Sequence, residues 1–278
     1  YKMSHSAQYP CVYTSHLTQE EQAADKHDNK YGAYCTSYFE SRGSNMETGE
    51  HDATHVEHVA FFGLQYFLKQ YLQGDVFNNN DLSTFQLFAN KHLGPDVAAI
   101  NIKDFKALKL GHNVNGGYYG PGGHKGLTVQ PGHLPIKIES VPEGEIVPVK
   151  NMLFKVTNTH PRFFWLPNYL ETLLVQVWYP MTVCTSAVYQ NKVLTDGFKR
   201  GADPYGLLDF GFRGSTSVES AGIGSLAYLA AGFKGTDTAV GLHVAEHYYD
   251  SDNTNGAIGT SVPASEHSTI TSWCRNDD

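Results

Sequence analysis

Three unlike reactive groups, the ring of Phe210, the carboxylate of Asp237 and the imidazole of His267, recur along the last third of the chain. The first two stand 27 positions apart (210 to 237) and the last two 30 (237 to 267). That interval is about the length of one strand-loop-helix unit of a β/α barrel, roughly 30 residues. Repeated units of this kind are expected to carry each group to the C-terminal end of a strand, the barrel edge where chemistry is done. Taken singly, Phe210 reads as a core residue and His267 as a capping or core histidine. Taken together, an aromatic, a carboxylate and an imidazole at one barrel edge suit one small ligand.

Other reactive patterns carry less. The triplet Asp209-Phe210-Gly211 invites a kinase reading with Asp209 on magnesium, but the lysine strand, the Gly-rich phosphate loop and the His-Arg-Asp catalytic loop are all missing upstream. The glycine-rich stretch 111–132 lacks both Gly-x-Gly-x-x-Gly and Gly-Lys-Ser/Thr spacing, so it reads as a plain loop. His51, His55 and His58 would share a helical face at a spacing able to hold a metal, yet without a placed carboxylate. A solvated face is the simpler reading, and no protein metal site is expected.

Composition narrows the classes further. The chain has 278 residues, 41% hydrophobic and 17% charged, enough to bury a sizeable core as one large or two modest domains. A net charge of −8 with 20 thinly spread Lys and Arg argues against a nucleic-acid groove. Cys11, Cys35, Cys184 and Cys274 lie far apart with no Cys-x-x-Cys, which points to a reducing compartment. No run approaches the roughly 18 apolar residues of a membrane span. Tyr1-Lys-Met-Ser-His5 does not open a signal peptide, so a cytoplasmic protein is expected. Because the chain starts on Tyr1 and stops at Asp278, directly after a helix-like segment, we expect it to be part of a longer polypeptide.

The elements that must position these groups follow from periodicity. Residues 1–54 are polar and irregular apart from a strand-like run from Tyr34 to Phe39. From His55 to Gly74, Val56, Val59, Phe62, Leu64, Phe67, Leu68 and Leu72 fall at helical spacing. Weaker helices are expected at 82–93 and 96–110, and a β meander from Ile136 to Val156. A buried helix interrupted by Pro180 is expected from Tyr169 to Cys184. Strand-helix alternation then begins at Leu207, with helices near 220–231, 238–249 and 266–273. The fold class is α/β, or α+β over the whole chain. A mixed domain occupies 1–166 and carries the loop 111–132, and the start of a β/α barrel occupies 167–278.

Longer motifs match a known family. Leu134-Pro-Ile-Lys-Ile-Glu-Ser-Val-Pro-Glu-Gly144, Trp178-Tyr-Pro-Met-Thr-Val183, Asp209-Phe-Gly-Phe-Arg-Gly214, Ala221-Gly-Ile-Gly224, Phe233-Lys-Gly-Thr-Asp237 and Val262-Pro-Ala-Ser-Glu-His-Ser-Thr-Ile-Thr271 closely resemble the nicotinamide phosphoribosyltransferase family. Tyr1-Lys-Met-Ser-His5, Gln8-Tyr-Pro10 and Tyr38-Phe-Glu-Ser-Arg42 continue the likeness, which is weak at 11–33 and 75–132. The resemblance implies a type II phosphoribosyltransferase fold, an irregular β/α barrel with a mixed N-terminal domain. It also implies a homodimer with active sites at the interface. The implied reaction joins nicotinamide to phosphoribosyl pyrophosphate with magnesium, releasing nicotinamide mononucleotide and pyrophosphate, with ATP assisting.

By motif, Phe210 would stack on one face of the pyridine ring and Tyr1, from the partner subunit, on the other. Asp237 would accept the carboxamide N–H, Arg213 and Arg42 would hold phosphates, and His267 would be transiently phosphorylated by ATP. The family's downstream half, with further barrel strands and an Arg and Asp pair at the nicotinamide and ribose pockets, has no counterpart in this sequence. Two other readings stay open: a shortened, non-catalytic relative that binds a partner or nicotinamide, and a sister enzyme that uses nicotinate. Asp237 discriminates between the bases, since a carboxylate accepts from an amide and repels a second carboxylate.

Overall fold

The computed structural model describes residues 34–42, 56–76, 79–92, 94, 105–109, 132–160, 163–198, 203–251 and 256–273. Tyr1, His51, His55, Cys11, Cys274 and the glycine-rich stretch up to residue 131 lie outside the described residues. The chain divides into two compact units, Tyr1–Thr182 and Val183–Asp278.

In the first unit, β1 (Thr36–Glu40), β3 (Ile136–Ser140) and β5 (Met152–Asn158) form an antiparallel sheet in the order β1-β5-β3. Alternation along β5 decides its faces. Phe154, Val156 and Asn158 are buried while Lys155 and Thr157 are less so, the two-residue period of a half-buried strand, and the buried Leu153 departs from it at the register shift between Phe39 and Glu40. Phe154 stacks on Phe39 across the β1/β5 pair with ring centroids 4.9 Å apart. On the outer face Glu139 accepts ion pairs from Lys137 at 3.0 Å and Lys155 at 3.2 Å, and these two partners lower its pKa.

The expected meander is a different arrangement. The strand β4 (Ile146–Pro148) leaves its sequence neighbours and pairs antiparallel with β2 (His58–Ala60), Val59 opposite Val147. The helix expected from His55 is correspondingly shorter. Residues 58–60 are strand, and the helix begins only at α1 (Leu64–Phe67), continuing as a wider turn over Leu68–Leu72. The physical reason lies at Gly63, whose φ of 105° breaks a helical path, and at Glu143, whose carboxylate accepts from the Gly63 and Gln65 N–H groups at 3.1 and 2.6 Å. His58 therefore lies on a strand, not on a helical histidine face. Among the described residues no group of His, Cys, Asp and Glu is arranged to hold a metal ion.

Further along are α2 (Asn79–His92), a short helix α3 at 105–109, α4 (Leu166–Leu174), a tight turn at Val175–Val177 and α5 (Trp178–Phe198). Phe105 of α3 contacts Phe85, Trp165 and Tyr169 edge-on at 4.9, 5.3 and 5.4 Å, an aromatic cluster at the centre of the buried Leu108, Leu166 and Leu170. The interruption expected at Pro180 is realised as the Val175–Val177 turn before α5. Pro180 itself fits in the first turn of that helix, where a missing N–H costs no intrahelical bond.

The second unit carries the alternation. β6 (Leu208–Asp209) is followed by a single helical turn at Gly211–Gly214 and by α6 (Val218–Ala230). β7 (Gly235–Thr236) leads to α7 (Ala239–Tyr248), and α8 (His267–Trp273) closes the described chain. β6 and β7 are parallel, and Thr260 bridges to Gly235 in the parallel sense, so three consecutive strand segments lie side by side. Ser217 caps α6, accepting from the Ser220 N–H at 3.0 Å. The Ala221-Gly-Ile-Gly224 motif is a packing device: a Cβ on Gly222 would fall 2.8 Å from Val244, and one on Gly241 would fall 2.5 Å from Ser225 Oγ. Only glycine at both positions lets α6 and α7 approach this closely. Among the described residues no helix is long and apolar enough to cross a membrane.

Candidate functional site

Three residues directly follow the three adjacent strand segments: Phe210 after β6, Asp237 after β7 and Ser261 after Thr260. Hydrogen bonds hold these ends in register. The Asp237 N–H donates to the Asp209 carbonyl at 3.0 Å, the Thr236 N–H to the Thr260 carbonyl at 3.0 Å and the Thr260 N–H to the Lys234 carbonyl at 2.8 Å. The Ser261 hydroxyl donates to Oδ1 of Asp237, so one oxygen of that exposed carboxylate is held from within the protein while the other remains available.

Phe210 is 52% exposed, which overturns the core-residue alternative and leaves a ring free to receive a ligand. The helical turn that follows presents Phe212, also exposed, and Arg213, which forms no ion pair with a described residue. His267 does not end a strand. It opens α8, is exposed, and stands six positions beyond Ser261, which takes the third strand-end place. Arg42 lies in the first unit, exposed beside the buried Ser41 at the end of β1. Tyr1 lies outside the described residues.

Beneath the exposed groups sits a hydrogen-bonded carboxylate that sequence reasoning missed. Asp209 Oδ1 accepts the Gly211 N–H and Oδ2 accepts the Thr236 hydroxyl, both at 2.8 Å. The Thr236 oxygen accepts in turn from the Thr238 N–H at 2.9 Å and lies 3.2 Å from Ser225 Oγ. Burial acts to raise the Asp209 pKa, but donation by Ser225, Gly211, Thr236 and Thr238 outweighs it, and the carboxyl titrates below its ordinary value. Nearby, Tyr228 donates its hydroxyl to the Leu207 carbonyl and stacks on Phe233 at 4.8 Å. Burial, reinforced by the charge of Asp209, pushes the Tyr228 phenol up to about 12. The overlooked signal was the hydroxyl residue ending each later strand segment, Thr236 and Thr260, paired with an acid ending β6.

This arrangement offers an open aromatic face, a fixed carboxylate, an exposed guanidinium and, further along, an exposed imidazole. Residues 26–109 match the model for the nicotinamide phosphoribosyltransferase N-terminal domain, and residues 205–278 match that of the nicotinate phosphoribosyltransferase family. A nicotinamide phosphoribosyltransferase of Xanthomonas campestris is 38% identical over 86% of this chain, and one of Acinetobacter baylyi is 30% identical over 85%. The chain spans 44% of the length of each. The crystal structure of human nicotinic acid phosphoribosyltransferase superposes on 94% of the chain, and 40% of its own, with a TM-score of 0.55 at 14% identity. At that identity the likeness speaks for the fold, which is the type II phosphoribosyltransferase fold, with mixed helix and strand content. Two family models on one chain and relatives matched across most of it show that the chain belongs to the nicotinamide phosphoribosyltransferase family.

Proposed function

We propose that the protein joins nicotinamide to phosphoribosyl pyrophosphate, releasing nicotinamide mononucleotide and pyrophosphate in NAD salvage. The observation that carries this reading is the alignment of Phe210, Asp237 and Ser261 at the ends of three adjacent parallel strand segments. In the reaction the pyridine nitrogen attacks the anomeric carbon of the ribose as its bond to the pyrophosphate oxygen breaks. Charge develops on the sugar and on the departing pyrophosphate, so the protein contributes positioning and charge stabilisation.

Phe210 supplies a face for the electron-poor ring, worth about 0.5–1.5 kcal/mol beyond area burial. Asp237 accepts the carboxamide N–H. Arg213 and Arg42 hold phosphate oxygens through bidentate forks. Tyr1 of the partner subunit covers the second face of the ring in a homodimer, and the protein works in the cytoplasm. His267 takes a phosphoryl group from ATP, and the charge gained alters affinity for the second substrate. Magnesium enters with the substrate's pyrophosphate. Such ions keep several waters and need only one or two protein carboxylates.

The test is to incubate the purified protein with nicotinamide, phosphoribosyl pyrophosphate, magnesium and ATP and to look for nicotinamide mononucleotide by mass spectrometry. Product is expected, and its absence from folded protein overturns the reading. A second reading, nicotinate as the base, is favoured by the match of residues 205–278 to the nicotinate family model. A parallel incubation with nicotinate decides between them, because the Asp237 carboxylate should exclude that anion.

A further inference from the structure

We infer that Asp209 is a positioning residue that sets the placement of the Phe210 ring relative to the Asp237 carboxylate; this rests on the function proposed above. Phe210 lies between Asp209 and Gly211, which a hydrogen bond joins across it. Oδ1 of Asp209 closes onto the Gly211 N–H at 2.8 Å, a turn that wraps around residue 210 and leaves it at φ −114° and ψ 23°. Asp237 likewise follows a residue that Asp209 holds, since Oδ2 accepts the Thr236 hydroxyl at 2.8 Å. The main chain adds a third tie, from the Asp237 N–H to the Asp209 carbonyl at 3.0 Å.

The two strand ends would be connected without the carboxylate, through the backbone alone. The backbone pairing of β6 with β7 fixes the strand register but does not by itself fix the conformation at residue 210, and with it the ring of Phe210. The carboxylate removes this freedom because its two oxygens bind different elements at once. A Cβ at position 211 would stand 3.0 Å from Asp209 Oδ1, so a larger residue there would require the carboxylate to give by a few tenths of an ångström. A half-buried charge costs free energy unless donors surround it. Maintaining one here, one residue from the ring and beside the strand that carries Asp237, fits a role in geometry better than a role in packing. The hydroxyl of Thr236 is the intermediary: it donates to Asp209 while accepting from the Thr238 N–H, so it transmits the carboxylate's position to the segment on both sides of Asp237.

The test compares the wild-type protein with Thr236→Val, which keeps the shape of the side chain and removes the hydroxyl, and Thr236→Ser, which keeps the hydroxyl. Thr236→Val should raise KM for nicotinamide roughly 10- to 100-fold, as misplacement of a binding group does, and leave KM for phosphoribosyl pyrophosphate unchanged. Thr236→Ser should restore the wild-type value, and Asp209→Asn should resemble Thr236→Val. Equal changes in both KM values, or none in a folded variant, would overturn the inference. Should the wild type make no product with either base, the functional reading fails by itself. The positioning role is then decided by hydrogen exchange at the Gly211 and Asp237 amides, expected to accelerate in Thr236→Val relative to Thr236→Ser and overturned if the two variants exchange alike.

Discussion

Gly235 lies so close to Leu208 of the neighbouring strand that a Cβ on it would stand 2.2 Å from Leu208 Cδ2 and 3.2 Å from the Leu207 carbonyl oxygen. Parallel pairing sets the spacing of β6 and β7, and at that spacing the Leu208 side chain fills the place a Cβ on residue 235 would take. Gly235→Ala must push the strands apart or force Leu208 out of its rotamer. Overpacking of this kind costs about 1–3 kcal/mol, more than the 0.4–1 kcal/mol or so that alanine returns by stiffening the unfolded chain. Urea unfolding should show a lower midpoint with an unchanged slope; an unshifted midpoint would mean that Leu208 yields freely.

The strand spacing explains which parts of the site could be read in advance. Phe210 and Asp237 fall where the interval between them placed them, because each ends a strand followed by a long helix and such units have a nearly fixed length. Ser261 was passed over for His267 because the third strand segment reduces to the single bridging residue Thr260, too short to show any period, and a six-residue connection precedes α8. The placement of β2 failed for a related reason. Val59 lies at helical spacing with its neighbours, yet its partner is Val147, far along the chain, and pairing at that separation leaves no local mark. The hydrogen bonds of Asp209 were equally hidden, since their meaning depends on Thr236, in the next strand.

Tyr228 should titrate late. With its phenol pushed up to about 12 by burial and by the charge of Asp209, against an unfolded value of about 10, its neutral form is favoured by folding. Its contribution is complete below about pH 10 and disappears as pH rises through about 12. Phenolate absorbance followed against pH should show a late component missing from Tyr228→Phe. The variant, without the hydrogen bond to Leu207, should be about 1 kcal/mol less stable at neutral pH, and this deficit should narrow above pH 10. A difference titration with no late component refutes the assignment.

Asp237→Asn probes the choice of base. The carboxylate accepts from a carboxamide and repels a carboxylate, whereas asparagine offers both a donor and an acceptor at the same place. The variant should use nicotinamide less well and admit nicotinate, with a loss of selectivity of about 1–3 kcal/mol in the ratio of kcat/KM values. Selectivity identical to that of the wild type would remove Asp237 from the recognition of the base. Ser261→Ala is a useful companion, since it leaves the charge intact and frees the held oxygen of Asp237.

His267 is exposed at the first residue of α8, six positions beyond Ser261. An imidazole that accepts a phosphoryl group must reach the γ-phosphate of a nucleotide, transfer its charge effect to the neighbouring substrate and later release the phosphate to water, all of which exposure permits. None of these steps is part of the bond exchange between nicotinamide and the ribose. His267→Ala should therefore retain slow synthesis of nicotinamide mononucleotide but lose its stimulation by ATP, and it should take up no acid-labile label from γ-labelled ATP. Steady-state rates with and without ATP measure the first effect and acid-quenched labelling the second. Full ATP stimulation in the variant would remove His267 from the response to ATP.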